Sequence, residues 1–548
     1  MGGGACGWCG KEAETRCTGC KEVFYCSRAC QKEGWVAHKD ACRPFTVTKT
    51  KDVGRLLVAS RDLEVGEMIL SEAPLVIGPR QDSEPLCLGC YRRTSGDYRC
   101  SQCSWPLCGR QCEASPDHQP ECRVTRAAGI TISLQQVPGS PSHPYELVMP
   151  LRCLVVAGQG GAEAQRWRTC TARLNTTRLH SSTTQQQQQQ LQLEQEHIQQ
   201  LQQVATALRD TFRLHSCPGV DASDASIVTI LSLLQLNQVP TKMPYAEVMA
   251  LYPMASLVSH SCMPNTKPQW KDGKLTLLAS DPIAKGDPIT GLYTDILWGT
   301  RARRDHLRHT RHVNCCCRRC SDPTELDTNF SALVCRRCRK NVLPSNPLDD
   351  TAPWVCRGCG LQVSVEEALA LSLALGAAVE EALGNPTITS LETLQGEWLK
   401  KVHPNHYHLH AVKHSLLQLY ARTQEKADNG DKDDTHWQEI AKKEAACKEF
   451  LTVCSRLDPS TAHTAHCVGL TFYEYHKTIL QSAQRHFALN RISRQQLKKR
   501  MLLSKALLKK TMEIFRDEAP DTPEGQLCHT CEEEVIRIGK WMLAVGLV

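Results

Sequence analysis

Three cysteines stand within six residues, at Cys315, Cys317 and Cys320. Thiolates so spaced can wrap one metal ion, and Zn²⁺ takes four such ligands tetrahedrally. Cys262 has no cysteine near it and could supply the fourth. That bond would fasten the Ser259-His260-Ser261-Cys262 turn to the residues that follow Tyr293. The same chemistry recurs three times. Residues 6–42 read Cys6-x2-Cys9-x7-Cys17-x2-Cys20-x5-Cys26-x3-Cys30-x7-His38-x3-Cys42, eight ligands that suit two zincs. Residues 87–122 repeat it as Cys87-x2-Cys90-x9-Cys100-x2-Cys103-x4-Cys108-x3-Cys112-x5-His118-x3-Cys122. Cys335-x2-Cys338-x17-Cys356-x2-Cys359 places two knuckles at the spacing of a zinc ribbon. Of 31 cysteines, 22 fall into these clusters, which together predict six zincs. The other nine, among them Cys153, Cys316 and Cys447, are expected to be buried small apolar residues. Cys528-x2-Cys531 has no second pair and reads as core.

The elements that must position these ligands follow from composition and pattern. A chain of 548 residues has room for roughly three or four domains, and 41% hydrophobic residues can fill their cores. A module of about 40 residues has too little core of its own, so metal would supply the stability of each finger. The net charge of +7 is mild and does not by itself imply nucleic acid, and direct nucleic-acid binding is not expected. No apolar run approaches the ~20 residues of a membrane span. The opening Met-Gly-Gly-Gly-Ala-Cys is no signal segment and lacks the Ser or Thr of a myristoylation site, so a nuclear and cytoplasmic location is expected. Disulfides are disfavoured there.

Residues 53–77 alternate as short strands around the turn Glu64-Val65-Gly66-Glu67, and 123–250 look helical. Within that span Gln185–Gln190 opens a glutamine-rich stretch, read as a surface helix without chemistry. Ile227–Leu236 forms an apolar helix ending near Asn237. Lys274–Tyr293 reads as strands around Ala284-Lys285-Gly286-Asp287. The run Arg301, Arg303, Arg304, Arg308 and Arg311 is either a solvated helix face or a surface that attracts an acidic partner or nucleic acid. From Val363 onward apolar residues recur at helical spacing, broken at 384–386, 428–434, 458–459 and 519–525, which predicts helical hairpins. His403, His406, His408, His410 and His414 gather at one helix start, as packing or as a metal site.

The Ser259–Asn265 run, Lys285-Gly286-Asp287, Tyr293 and the Cys315, Cys317, Cys320 tail resemble the core of a SET domain in the SET and MYND domain (SMYD) family. The two eight-ligand stretches resemble MYND fingers, and Asp322-Pro323-Thr324-Glu325-Leu326 is similar to the arthropod-specific class. The resemblance implies an α+β fold: a β-rich SET core with one appended and one inserted finger, a zinc ribbon and an all-α, tetratricopeptide-like C-terminal domain. It divides the chain into an N-terminal finger (1–44), first SET part (45–86), second finger (87–122), helical insertion (123–250), SET core (251–313), post-SET tail (314–322), ribbon (323–362) and helical domain (363–548). The family's interleaving would put Cys6, Cys9, Cys26 and Cys30 on one zinc, and Cys17, Cys20, His38 and Cys42 on the next. In the second finger it would join Cys87, Cys90, Cys108 and Cys112, then Cys100, Cys103, His118 and Cys122.

The resemblance further implies methyl transfer from S-adenosylmethionine to a protein lysine, with Tyr293 catalytic and Gly54, Arg55, Asn237, Ser259, His260 and Tyr293 around the cofactor. A plain alternative stands beside each: Tyr293 as a core aromatic, Asn237 as a helix cap. Three departures stand out. Ser259 replaces the family's Asn, the loop after Gly54-Arg55 is trimmed, and Arg311 stands where the family has a lysine-channel tyrosine. The second reading is therefore a protein-binding scaffold, a transcriptional co-repressor working with deacetylase-type complexes. Under either, MYND fingers and the helical domain would meet protein substrates or peptides, with Trp35 peptide-facing or in the core.

Overall fold

The structure, a computed structural model, describes residues 4–18, 23–39, 42–50, 54–80, 83–132, 143–172, 174, 184–243, 246–271, 273–426, 434–518, 520 and 522–547. The chain divides into two compact units. One comprises Met1–His260, Pro264–Gly291 and Thr310–His312; the other comprises Ser261–Met263, Leu292–His309 and Val313–Val548. The fold is α+β, with strands in both units and a helical C-terminal region. No helix among the described residues is long and apolar enough to cross a membrane.

In the first unit, period-two burial makes the strands. Lys274–Ala279 buries Leu275, Leu277 and Ala279 and turns the alternate residues outward. It lies between Thr266–Lys271 and Met68–Glu72, antiparallel to both. Phe45–Thr50 pairs with Gly54–Ala59, a strand that begins at Gly54 in the left-handed region at φ 79°. A further sheet orders Val76–Pro79, Glu247–Leu251 and Gln238–Lys242, again antiparallel. This corrects the expectation that 123–250 is helical throughout. Gln238–Lys242 is an edge strand, where Pro240 costs no ladder hydrogen bond. The glutamine-rich stretch lies in the helix Thr184–Thr211.

Helix Pro144–Gly158 buries ten of the eleven residues from Tyr145 to Val155, all but Glu146, and stacks Tyr145 on Trp105 at 5.7 Å. Its last residue has no room for a side chain. A Cβ on Gly158 would lie 1.8 Å from the Gly219 carbonyl oxygen.

The second unit opens its helical part with a four-stranded antiparallel ribbon, Leu333–Val334, Asn341–Pro344, Trp354–Cys356 and Gln362–Val363. Helices Val365–Gly384, Ile388–Trp398, Tyr407–Lys426, Asp434–Leu457, Ala465–Ala488, Arg494–Phe515 and Pro523–Ala544 follow. Four of these starts are capped by side chains: Ser364 accepts from Glu367 N, Thr522 accepts from Gly525 N, and reciprocal boxes form at Thr387–Ser390 and Ser493–Gln496. Breaks fall at Gly384-Asn385-Pro386 and Asp458-Pro459 as the pattern predicts. Most of the break expected at 428–434 lies outside the described residues.

Two expectations resolve here. The histidines pack: His410 stacks on Phe450 at 4.3 Å, His414 takes the same ring at 5.2 Å, and His406 stacks on Tyr407 at 4.7 Å. Cys316 is exposed rather than buried, because its neighbours Cys315 and Cys317 both turn to one cluster and leave it facing out. Cys153 and Cys447 are buried as expected. One backbone feature stands out. Glu325, Leu326 and Asp327 follow one another in the left-handed region, at φ 49°, 60° and 59°, with Asn329 at 55°. Non-glycine residues there cost about 1–2 kcal/mol each, so side chains must hold this turn.

Candidate zinc centres and methyl-transfer site

A tetrahedral zinc with bonds of about 2.3 Å needs its sulfurs about 3.8 Å apart. The described cysteines meet that measure cluster by cluster. In the first finger Cys6, Cys9, Cys26 and Cys30 lie together, with Cys9–Cys26 and Cys26–Cys30 at 3.5 Å and Cys30–Cys9 at 3.7 Å. Ser27 caps helix Arg28–His38 by accepting from Cys30 N, which sets Cys30 on the first turn. The backbone N–H of Cys9 is the main cause that lowers the Cys6 thiol to about 6, which favours the ligating thiolate. Cys17 and Cys42 lie 3.6 Å apart beside buried His38, while Cys20 falls outside the described residues. Trp35 is 45% exposed and meets His38 edge-on, so it is no core residue; Trp8 is exposed too.

The second finger is built into the core. Cys87, Cys90, Cys108 and Cys112 form one cluster, and Cys100, Cys103, His118 and Cys122 form another that is wholly buried. His118 turns Nε2 toward Cys103 Sγ at 3.3 Å and Nδ1 toward Glu121 Oε1 at 3.0 Å. Arg152 donates to both Glu121 oxygens, at 2.8 and 2.7 Å, to the Ile77 carbonyl at 2.6 Å and to the Tyr91 hydroxyl. A carboxylate behind a ligating imidazole fixes its tautomer and strengthens it as a ligand. Neither Glu121 nor Arg152 was singled out in the sequence. Their signals are slight: Glu121 stands three residues past His118, and Arg152 is the one cation in an apolar helix.

The ribbon gathers Cys335, Cys338, Cys356 and Cys359, with Cys335–Cys359 at 3.6 Å and Cys338–Cys356 at 3.4 Å. Backbone N–H groups of Arg337 and Gly358 donate to Cys335 and Cys356. Cys262, Cys315, Cys317 and Cys320 form the fourth centre, with Cys262 at 3.5 Å from Cys320 and 3.9 Å from Cys315. Tyr293 packs against this cluster together with Val313 and Leu348. It follows the short strand Thr290–Gly291 instead of ending a strand itself. Four-thiolate and three-thiolate-plus-imidazole donor sets at this spacing fit zinc, and with its MYND finger the chain binds zinc.

The residues expected around a nucleoside cofactor are held as follows. Ser259–His260 pairs in parallel with Thr290–Gly291. Backbone bonds run from Ile289 N to Leu57 O and from Ser259 N to Ile289 O, sewing that segment to strand Gly54–Ala59. The turn Ala255–Leu257 before it is anchored twice. Glu72 accepts from the N–H groups of Met254 and Ala255 at 3.0 Å, and Ser256 Oγ donates to Asn237 O at 2.7 Å. Burial pushes the Glu72 carboxyl above its usual value, against the pull of those N–H groups.

Asn237 is the buried last residue of helix Asp224–Asn237, and its amide donates to Leu233 O. Ser259 Oγ donates to Ile289 O at 3.3 Å. Arg55 donates to the Leu174 carbonyl. Three side chains assigned to the cofactor are thus bonded within the chain, so the fit to S-adenosylmethionine rests on the backbone of Ser259–His260 and only partly on side chains.

Arg311 gives the main surprise. Its guanidinium donates to the carbonyls of Leu236 at 2.6 Å, Gln238 at 2.7 Å and Gln235 at 3.3 Å, closing the C-terminal end of helix Asp224–Asn237. A cation there meets the negative end of the helix dipole. The other arginines of helix Thr300–Arg311 are also engaged. Arg301, Arg304 and Arg308 converge on Asp350, and Arg303 is fully buried. The run is neither a bare solvated face nor an open basic patch.

Comparison with known proteins bears on the first finger and on the chain's likeness to its relatives. The MYND finger model matches residues 6–42. The SET domain-containing protein SmydA-8, isoform A, of Drosophila melanogaster is 28% identical over 327 residues, which are 58% of this chain and 64% of that protein. The chain therefore spans a little under two thirds of that relative's length. The histone-lysine N-methyltransferase ASHR1 of Arabidopsis thaliana is 26% identical over 448 residues, 79% of this chain and 86% of its own length. The human histone-lysine N-methyltransferase SMYD3 is 26% identical over 241 residues, 43% of this chain and 51% of its own. With its MYND finger, its repeated cysteine clusters and these relatives, the chain is similar to the SET and MYND domain family.

Proposed function

We propose that the chain is a protein-lysine methyltransferase that uses S-adenosylmethionine. The observation that carries the reading is the setting of Tyr293, seated against the Cys262, Cys315 and Cys320 cluster. Relatives whose names record lysine methyl transfer support it. So does Arg311, whose bonds to the Leu236 and Gln238 carbonyls give it a task other than obstructing a lysine. The cofactor, when bound, supplies an electrophilic methyl on a sulfonium. The chain's part is to orient the reactants. The Ser259–His260 backbone would hold the cofactor, and the Tyr293 hydroxyl would direct its dipole at the transfer. A lysine that attacks must be neutral, and burial lowers its pKa. The wider reading is a nuclear and cytoplasmic protein of the arthropod-specific class that regulates gene expression. Exposed Trp8 and Trp35 favour a protein-facing first finger.

A second reading rests on Ser259. Its one hydroxyl is directed to Ile289 O, which favours a scaffold that binds the cofactor poorly. Transfer of labelled methyl to a histone or lysate substrate by wild type and by Tyr293→Phe decides between them. Activity in wild type that disappears in the folded Tyr293→Phe variant supports the enzyme. No transfer, together with no heat of S-adenosylmethionine binding, leaves the scaffold.

A further inference from the structure

Four thiolates around Zn²⁺ carry two negative charges in excess, and buried charge needs a partner. The centre at Cys262, Cys315, Cys317 and Cys320 has one. Arg303 has no exposed side-chain surface. Its Nε donates to Cys262 Sγ at 3.2 Å, and its Nη2 lies 3.7 Å from Cys320 Sγ. The rest of the fork points the other way. Nη1 donates to Glu325 Oε2 at 2.9 Å and to the Trp298 carbonyl, and Nη2 donates to Thr300 Oγ1.

Glu325 is itself buried and shared. Arg319 Nη2 donates to Oε2 at 3.1 Å, while Thr300 N and Ser331 Oγ donate to Oε1. Burial would push its carboxyl up, but Arg303 and Arg319 hold it down at about 2. Glu325 is also the first of the three successive left-handed residues, and Asp322 ties the same turn by accepting from Thr324 N and Leu326 N. A turn of unfavourable backbone therefore hangs from a carboxylate whose main cation also holds two zinc ligands.

We propose that Arg303 is a positioning residue that couples the Cys262, Cys315, Cys317 and Cys320 zinc centre to the Asp322–Asn329 turn, so that metal and turn are kept or lost together. Planarity matters. Unlike an ammonium, a guanidinium presents a rigid fork of N–H groups to the sulfurs and the carboxylate at once. Lysine would keep the charge and lose one of the two directions.

The test uses the full chain in its zinc-loaded form. A chelator series is followed by alkylation mapped to each cysteine by mass spectrometry, and hydrogen exchange is read over residues 322–331. Arg303→Met is expected to expose Cys262, Cys315, Cys317 and Cys320 to alkylation at a chelator concentration about 10–100-fold lower than in wild type, with the ribbon and finger cysteines unmoved. Exchange in the turn should rise with it. Arg303→Lys should recover part of the resistance, and Arg301→Gln, which loses only partly exposed ion pairs, should resist chelator as wild type does. Should Arg303→Met fail to fold, wild type alone decides. As chelator strips the centre, protection of 322–331 should fall in step with alkylation of the four cysteines. A turn that stays protected after all four are alkylated overturns the proposal. So does an Arg303→Met variant that folds and holds this metal as wild type does.

Discussion

Arg311→Met removes the fork that closes helix Asp224–Asn237. Two of its three contacts are short, at 2.6 and 2.7 Å, and the third at 3.3 Å is marginal. Hydrogen bonds from a charged donor contribute about 1.5–3 kcal/mol each, and a cation at a helix C-terminus about 0.3–1 kcal/mol. Arg311 is only half-buried, so water recovers part of this, and the low ends apply. The loss is then about 3–4 kcal/mol, felt first in the last turn of the helix. Native-state hydrogen exchange of the amides from Leu233 to Gln238 reads it directly. Their exchange should quicken by on the order of a hundredfold, at about 1.4 kcal/mol per tenfold. Arg311→Lys keeps the charge and one bond and should recover about half of the free energy. Arg311→Tyr restores the residue of the family's pattern but cannot reach three carbonyls, so it should exchange as fast as Arg311→Met and gain no activity. Exchange within threefold of wild type in Arg311→Met would refute the helix-closing role. A gain of methyl transfer in Arg311→Tyr would return Arg311 to the lysine channel.

Acid should weaken the helical domain through its histidines. Burial, then nearby charge, holds His406 and His410 at about 3, against about 6.5 for a free imidazole. Between those values the unfolded chain binds protons that the folded chain refuses, so this stability is whole above pH 6.5 and drains as pH falls. Each such histidine costs roughly 2 kcal/mol by pH 5, and urea midpoints from pH 7.5 to 5 should slope less in His410→Phe than in wild type. Glu121→Gln should weaken zinc at the Cys100, Cys103, His118, Cys122 centre by about 10–100-fold in chelator competition, leaving the ribbon unchanged. Ser259→Asn should tighten S-adenosylmethionine roughly tenfold by calorimetry if one good bond returns; no change would mean that position 259 is no part of the pocket.

The cysteine clusters were legible because ligand spacing is local and costly to imitate by chance. Knuckles of two and three intervening residues close on one ion wherever they lie, and Cys262 could be joined to its tail by lacking any nearer partner. Partners chosen by tertiary approach were not legible. Arg311 meets carbonyls some 75 positions upstream, Arg152 reaches Glu121 across 31, and Arg303 reaches Cys262 across 41. No periodicity announces such pairs. The strand Gln238–Lys242 was missed for a related reason. An apolar helix runs straight into it, and a proline within a strand argues against one until the strand is known to lie at an edge. Cys316 shows the limit of composition: its type predicted burial, and its place between two ligands decided otherwise.

Cys262 and Cys315 stand 53 positions apart, yet their sulfurs lie 3.9 Å from one another. A metal bridging them works as a crosslink on the polymer. By the loop-closure relation for crosslinked chains, a ring of that size removes about 4 kcal/mol of conformational freedom from the unfolded ensemble. Tyr293 lies on the closed part of the chain. The ring thus restrains the span that carries the proposed catalytic hydroxyl without an oxidant, and opens it again whenever the ion is withdrawn.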